Sequence, residues 1–214
     1  EVKDNHVGAV LGFRTSKGEK IGVKVSSSFI SEEQAWLNLE EIGSKDFNEV
    51  KEALKFLNIP VFVMVRPREW NFIYTKKEKE LMIQEIRNLK NIKVEGIVIG
   101  SLNNKGEIDT EFMKEVVKIA KPMNITFHKA IDEVKDYNKA IEQLIEIGID
   151  RILTSGKKDK AEDAIGFLKT INRLYGNDIT FVAAGNITKD NLDSLNNKLD
   201  FKEYHGKSIV GYLK

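Results

Sequence analysis

Cysteine is absent from all 214 residues. That absence excludes disulfides, a thiolate nucleophile and any thiolate metal site. Net charge is nearly absent as well, since 34 basic residues against 33 acidic ones leave +1. A general nucleic-acid binder or a protein drawn to anionic membranes needs a basic excess, which this balance does not supply. Long hydrophobic runs are missing, and the apolar stretches present are too short to span a bilayer. No glycine-rich dinucleotide fingerprint appears at a first strand-to-helix turn. Neither linker-like composition nor a short internal repeat interrupts the chain, so residues 1–214 read as one domain. No export signal is read. Any targeting peptide ahead of Glu1 would be invisible, and the expected compartment is the cytoplasm.

What is present is an ordinary soluble composition, 41% apolar and 31% charged, enough for one large core. From Pro60 onward the chain alternates regularly. Val61–Val65, Val94–Ile99, Ile125–Phe127, Ile152–Leu153, Ile179–Ala183 and Glu203–His205 read as strands. Helical spacing separates them. Thr75-x-x-Glu78 is a capping box ahead of Met82, Ile86 and Leu89. Asp109 is an N-cap ahead of Phe112, Val116 and Ile119. Ala140, Ile141, Leu144 and Ile145 share a helix face that Gly148 closes. Ala161, Ile165, Leu168 and Ile171 form another, and Thr188 caps a short one with Leu192 and Leu195. Unbroken alternation predicts parallel strands joined by right-handed crossovers. Residues 1–28 read as a β-hairpin or, in a repeating α/β chain, as a poor helix over Val7–Arg14 before a second strand, and two strands here would make eight. Ser31-x-x-Gln34 starts a helix, and Phe47 to Leu57 form a second. Eight strands predict an α/β fold of the (β/α)8 TIM-barrel type, with an irregular or hairpin-containing N-terminal part, and an open doubly wound sheet is the alternative.

In such a barrel the functional face lies at the C-terminal ends of the strands. Those exits carry Arg66, Arg68, Ser101, His128, Lys129, Asp132, Thr154, Ser155, Gly156, Gly185, Asn186 and His205. Arg66 and Arg68 flank Pro67. They read either as a forked grip on a carboxylate or phosphate, or as partners of an acidic neighbour such as Asp132. Thr154-Ser155-Gly156 and Ala184-Gly185-Asn186 offer small residues before helices, where backbone N–H groups can meet an anion. His128 is either a pocket histidine or a rim histidine satisfied by a backbone carbonyl, and His205 holds the equivalent place at the last strand. Without cysteine, a soft-metal site falls to His128, His205 and Met64 or Met123, and no closely spaced ligand cluster marks one.

Four segments carry a family resemblance: Pro60 to Arg68, Thr126-Phe127-His128-Lys129-Ala130-Ile131-Asp132, Arg151-Ile152-Leu153-Thr154-Ser155-Gly156, and Glu203-Tyr204-His205. In order and spacing, over about residues 58–208, they resemble the copper homeostasis protein CutC family. The resemblance implies a (β/α)8 barrel, a cytoplasmic location, a homodimer and a part in copper handling. Copper is the only cofactor it suggests, and it brings no established reaction. Departures are specific. Glu69-Trp70-Asn71 stands where the family has Gly-Gly-Asp, and Lys129 where it has arginine. Ala184-Gly185-Asn186 replaces three glycines, and residues 1–46 lack the family's first-strand motifs.

Three readings follow. One is a CutC-like binding protein for copper, with His128, His205 and Met64 as ligands. Another is an enzyme or former enzyme for a small anionic or phosphorylated metabolite. There Arg66, Arg68 and Lys129 would hold charge, the Ser155, Gly156 and Gly185 backbones would hold phosphate, and His128 with Asp132 would do acid–base work. A mouth filled by Trp70 or Tyr74 would count against it. The third is an interaction scaffold, against which a retained concavity with unpaired Arg66 or His128 would argue.

Overall fold

Helix starts and stops follow the capping chemistry of the sequence. The computed structural model describes residues 59–92, 94–206 and 209. Its first helix, α1 (Lys76–Asn91), opens with the full capping box. Glu78 N donates to Thr75 Oγ1 at 3.3 Å, and Thr75 N donates to Glu78 Oε2 at 2.7 Å. Two N–H groups that a helix start would leave orphaned are thereby paired. In α2 (Thr110–Ala120) the Asp109 carboxylate accepts from Phe112 N, and in α3 (Tyr137–Ile147) Asp136 accepts from Lys139 N. Gly148 ends α3 at φ 92°, a left-handed cap that glycine adopts without side-chain strain. Two further helices follow, α4 (Ile165–Tyr175) and α5 (Lys189–Leu199).

Among the described residues six strands alternate with the helices: β1 (Phe62–Met64), β2 (Gly96–Ile99), β3 (Asn124–Phe127), β4 (Arg151–Thr154), β5 (Thr180–Ala183) and β6 (Glu203–Tyr204). They form one parallel sheet in sequence order. The apolar faces of the helices close over it. Met82 and Ile86 of α1, Met113 and Val116 of α2, Ile141 and Leu144 of α3 and Leu168 of α4 are buried against Ile97, Ile125, Phe127 and Ile152. Each such side chain contributes about 1.5–3 kcal/mol of transfer free energy. That burial, more than helix propensity, holds the alternation together.

The sheet is curled. Laid flat, five inter-strand gaps of about 4.8 Å would hold β1 and β6 roughly 24 Å apart. Yet Met64 of β1 and His205, just past β6, line one pocket of about 490 Å³. The described residues therefore make a half-barrel with a concave inner face. The two strands expected in residues 1–28 lie outside the described residues, as do the Ser31 capping box and the Phe47–Leu57 helix, so a closed eight-stranded barrel is not seen. One helix expectation changes in detail. The segment from Ala161 opens as a 3-10 turn (Ala161–Ala164) before α4. Ala161 N donates to Gly185 O at 3.0 Å, which ties that first turn to the β5 exit. No helix among the described residues is long and apolar enough to cross a membrane.

Candidate functional site

The strand exits build the site, and glycine sets its depth. β3 runs directly into His128, whose backbone N donates to Ile99 O at 3.0 Å and so extends the ladder by one residue. Beside it, at the exit of β2, stands Gly100. A Cβ there would lie 2.6 Å from both Cε1 and Nδ1 of His128, so only glycine lets the imidazole approach the backbone this closely. The ring packs between Phe72 (centroids 4.7 Å apart) and Phe127 (5.8 Å), and the residue is only 3% exposed.

The hydrogen bonds of that ring fix its chemistry. Ala130 N donates to His128 Nδ1 at 3.2 Å, inside the 3-10 turn Lys129–Glu133. Nδ1 is therefore a lone-pair acceptor, and in the neutral ring the proton sits on Nε2. Nε2 is buried with no partner among the described residues. Burial, reinforced by the Arg66 charge, lowers the pKa to about 3. The expected alternative of a histidine satisfied by a carbonyl is thus reversed, because the backbone partner is an N–H.

Arg66 shares the pocket wall and a similar predicament. Its guanidinium lies over the Phe72 ring at 4.6 Å, and its Nε is buried without a partner. Its Nη2 reaches Trp70 O at a long 3.5 Å, and the guanidinium lies beside the buried Tyr74 hydroxyl, which has no other partner among the described residues. A buried donor left unpaired costs roughly 1–3 kcal/mol, so two in one pocket need a reason. Lys129, His205 and Asn186 are exposed, and with Gly185, Thr188, Asp159, Phe72 and Met64 they complete the lining used below.

Arg68 goes elsewhere. It pairs with Glu78 at 2.6 Å and donates to the carbonyls of Glu69, Asn71 and Ile73. The forked pair expected from residues two apart fails because β1 ends at Met64. At Pro67 the chain is no longer a strand, so alternation no longer places the arginines together. Arg68 instead ties the 69–73 loop to the start of α1. Its acidic partner is Glu78, not Asp132.

Asp132, Thr154, Ser155 and Gly156 also stand apart from the pocket lining, bonded to one another. The Asp132 carboxylate accepts from Thr154 Oγ1 (2.6 Å), Ser155 N (3.0 Å), Ser155 Oγ (3.1 Å) and Lys157 N (3.2 Å). Tyr137 OH donates to Thr154 Oγ1 at 2.5 Å, and Gly156 N donates to the same oxygen at 2.9 Å. These groups clamp the β4 exit to the turn after β3. They leave Asp132 no free lone pair for acid–base work and leave Ser155 N and Gly156 N unavailable to a phosphate. Burial raises the Tyr137 hydroxyl pKa, with the Asp132 charge adding to it, so Tyr137 stays a donor. Tyr137 escaped the sequence reading because at helical spacing it looks like one more core residue.

The metal candidates are divided. Met64, half-exposed, His128 and His205 line the same pocket, whereas Met123 is buried in the core ahead of β3. No group of three or more histidines and carboxylates able to hold a metal occurs among the described residues. A histidine that ligates metal normally donates its other ring N–H to a carboxylate or carbonyl. His128 does the opposite, so its free nitrogen carries a proton where copper would need a lone pair. The residues present do not fit a copper ion held through His128 Nε2.

The CutC family profile matches residues 45–210, most of the chain. The chain belongs to the CutC family. A CutC family protein of Aliivibrio fischeri is 36% identical over 166 residues, covering 76% of this chain and 67% of the relative. One from Parabacteroides distasonis is 34% identical over 167 residues, covering 77% and 69%. The chain thus spans about two thirds of the length of these CutC relatives. Among solved structures, a proposed copper homeostasis protein CutC from Streptococcus agalactiae superposes with a TM-score of 0.72 at 28% identity, over 79% of this chain and 85% of that one. An aldolase designated QR15 superposes at 0.56 with 18% identity, over 80% and 81%, a likeness of fold alone. The segments that carry the CutC resemblance divide by role. Arg66, His128, Lys129 and His205 face the pocket. Asp132 and Thr154 to Gly156 hold its frame.

Proposed function

We propose that this chain serves a CutC-type part in copper homeostasis as a binding protein, and that its pocket holds a small anion and not a bare copper ion. The single observation that carries this is that two of the three unpartnered buried polar atoms among the described residues, Arg66 Nε and His128 Nε2, belong to residues in the wall of one concave pocket that also bears Lys129, the third being the Tyr74 hydroxyl beside Arg66. Donors without acceptors call for a ligand rich in oxygen. The link to copper homeostasis rests on the Streptococcus agalactiae relative. Among the described residues, Met64 and His205 are the other soft donors that line the pocket. The cytoplasm and a homodimer rest on the family likeness and belong to the same proposal.

Binding is favoured over catalysis, because Asp132 is engaged and His128 is a weak base. The scaffold reading is disfavoured by the concavity itself and by the unpartnered donors. Trp70 is 85% exposed, and neither it nor Tyr74 lines the pocket, so neither fills the mouth.

Competition titration with Cu(I) and, separately, calorimetric titration with inorganic phosphate test the proposal. The expected result is phosphate binding that Arg66→Gln weakens. Cu(I) affinity should be the same in the wild type and in a His128→Ala, His205→Ala double variant. Tight Cu(I) binding lost in that double variant, without phosphate binding, would overturn it.

A further inference from the structure

His128 and Arg66 come from different strand exits, yet both pack on one ring. The Phe72 centroid lies 4.7 Å from that of His128 and 4.6 Å from the Arg66 guanidinium carbon. His128 Nε2 and Arg66 Nε are both buried without a hydrogen-bond partner among the described residues, and the Tyr74 hydroxyl, likewise unpartnered, lies beside Arg66. The Ala130 N–H fixes which nitrogen of His128 is the donor, and Gly100 fixes where the ring sits. Two preset donors of this kind match an oxygen with two lone pairs, as on a carboxylate or a phosphate.

We infer that Arg66 Nε–H and His128 Nε2–H act together as a donor pair for one oxygen of an anionic ligand, which assigns His128 to ligand oxygen and not to metal. The inference rests on the anion reading of the pocket and narrows it to a specific subsite. Both nitrogens are out of contact with solvent, and Phe72 is the residue packed on both. A ligand oxygen therefore reaches them only when a wall side chain shifts, and we take that side chain to be Phe72. Lys129, exposed at the same wall, is left to meet the ligand's outer charge. Because the histidine donor is uncharged, it discriminates by geometry, while Arg66 and Lys129 supply the attraction at a distance.

The test is nitrogen-15 NMR of the intact wild-type chain, so no variant has to fold. Long-range proton–nitrogen spectra of the His128 imidazole and the Arg66 Nε–H signal are followed during separate additions of inorganic phosphate, formate and Cu(I). The expected result is an Nε2–H tautomer in the free protein. Both donor protons should then move downfield in step as phosphate or formate is added, with the Nε2 proton retained in Cu(I). Whichever anion saturates the shift at the lower concentration, by about tenfold or more, names the oxygen source. An Nδ1–H tautomer, or loss of the Nε2 proton on adding Cu(I), overturns the inference. So do anion-induced shifts confined to Lys129, Asn186 and His205, although the anion reading of the pocket would then survive. No shift anywhere with either anion overturns both.

Discussion

Ala130 donates its backbone N–H to Nδ1 of His128, two residues earlier, at 3.2 Å. One local bond in a 3-10 turn thus decides which ring nitrogen keeps the proton, and with it what the pocket can bind. The first prediction follows from the same ring. His128 titrates at about 3 in the folded protein, below the ordinary 6.5. The unfolded chain therefore takes up its proton first as pH falls. Stability from this group is complete above about pH 6.5, declines as pH drops below that, and stops declining near 3. Between about pH 7 and pH 5 the loss is on the order of 2 kcal/mol. Urea unfolding across that range, repeated for His128→Asn, checks it. The variant should lack this component of the pH dependence.

Substituting Asp132 by alanine should destabilise the protein by about 2–4 kcal/mol. The Thr154 hydroxyl and the Ser155 N–H and hydroxyl all lose their acceptor at once. Tyr137→Phe should cost about 1 kcal/mol, and the two changes should couple, because both act on Thr154. A double-mutant cycle by denaturant unfolding measures it. Additive losses would mean that the clamp is not a unit.

Gly100→Ala should push the His128 ring out of place, since the new Cβ would sit 2.6 Å from it. The expected cost is about 1–3 kcal/mol, and the Ala130 to His128 bond should be lost. Thermal unfolding gives the first quantity, and the imidazole nitrogen signals report the second.

The two arginines should separate cleanly. Arg66→Gln removes a charged pocket donor and should weaken phosphate binding by about tenfold or more. Arg68→Gln should change it by less than about threefold. Because the Arg68–Glu78 pair is partly exposed, at 27% and 22%, the same change should lower stability by only about 1 kcal/mol. Calorimetric titration and unfolding of the same two variants check both.

Much of this fold could be read from residue spacing. Apolar runs with intervening helical periodicity placed all six strands from Phe62 to Tyr204. Thr75, Asp109, Thr188 and Gly148 marked helix ends because capping is local chemistry. The site was legible only as a set of strand exits. His128, Lys129, Gly185 and His205 do meet at one pocket, since alternation in a parallel sheet sends every exit to one end. Spacing left the partners of Arg68 and Asp132 open for a common reason. Their partners, Glu78 for one and Ser155 and Lys157 for the other, are 10 to 25 residues away, and spacing carries no sign of such pairings. Asp159 went unread because an acid in a lysine-rich loop resembles ordinary solvated surface. The tautomer of His128 was invisible, because it depends on a turn geometry that sequence does not specify.

Native mass spectrometry of the protein purified from its source tests the central claim most directly. The account predicts that the wild type carries a small anionic molecule, that Arg66→Gln does not, and that neither carries copper through His128. A stoichiometric copper ion that survives in Arg66→Gln and disappears in His128→Ala would contradict it.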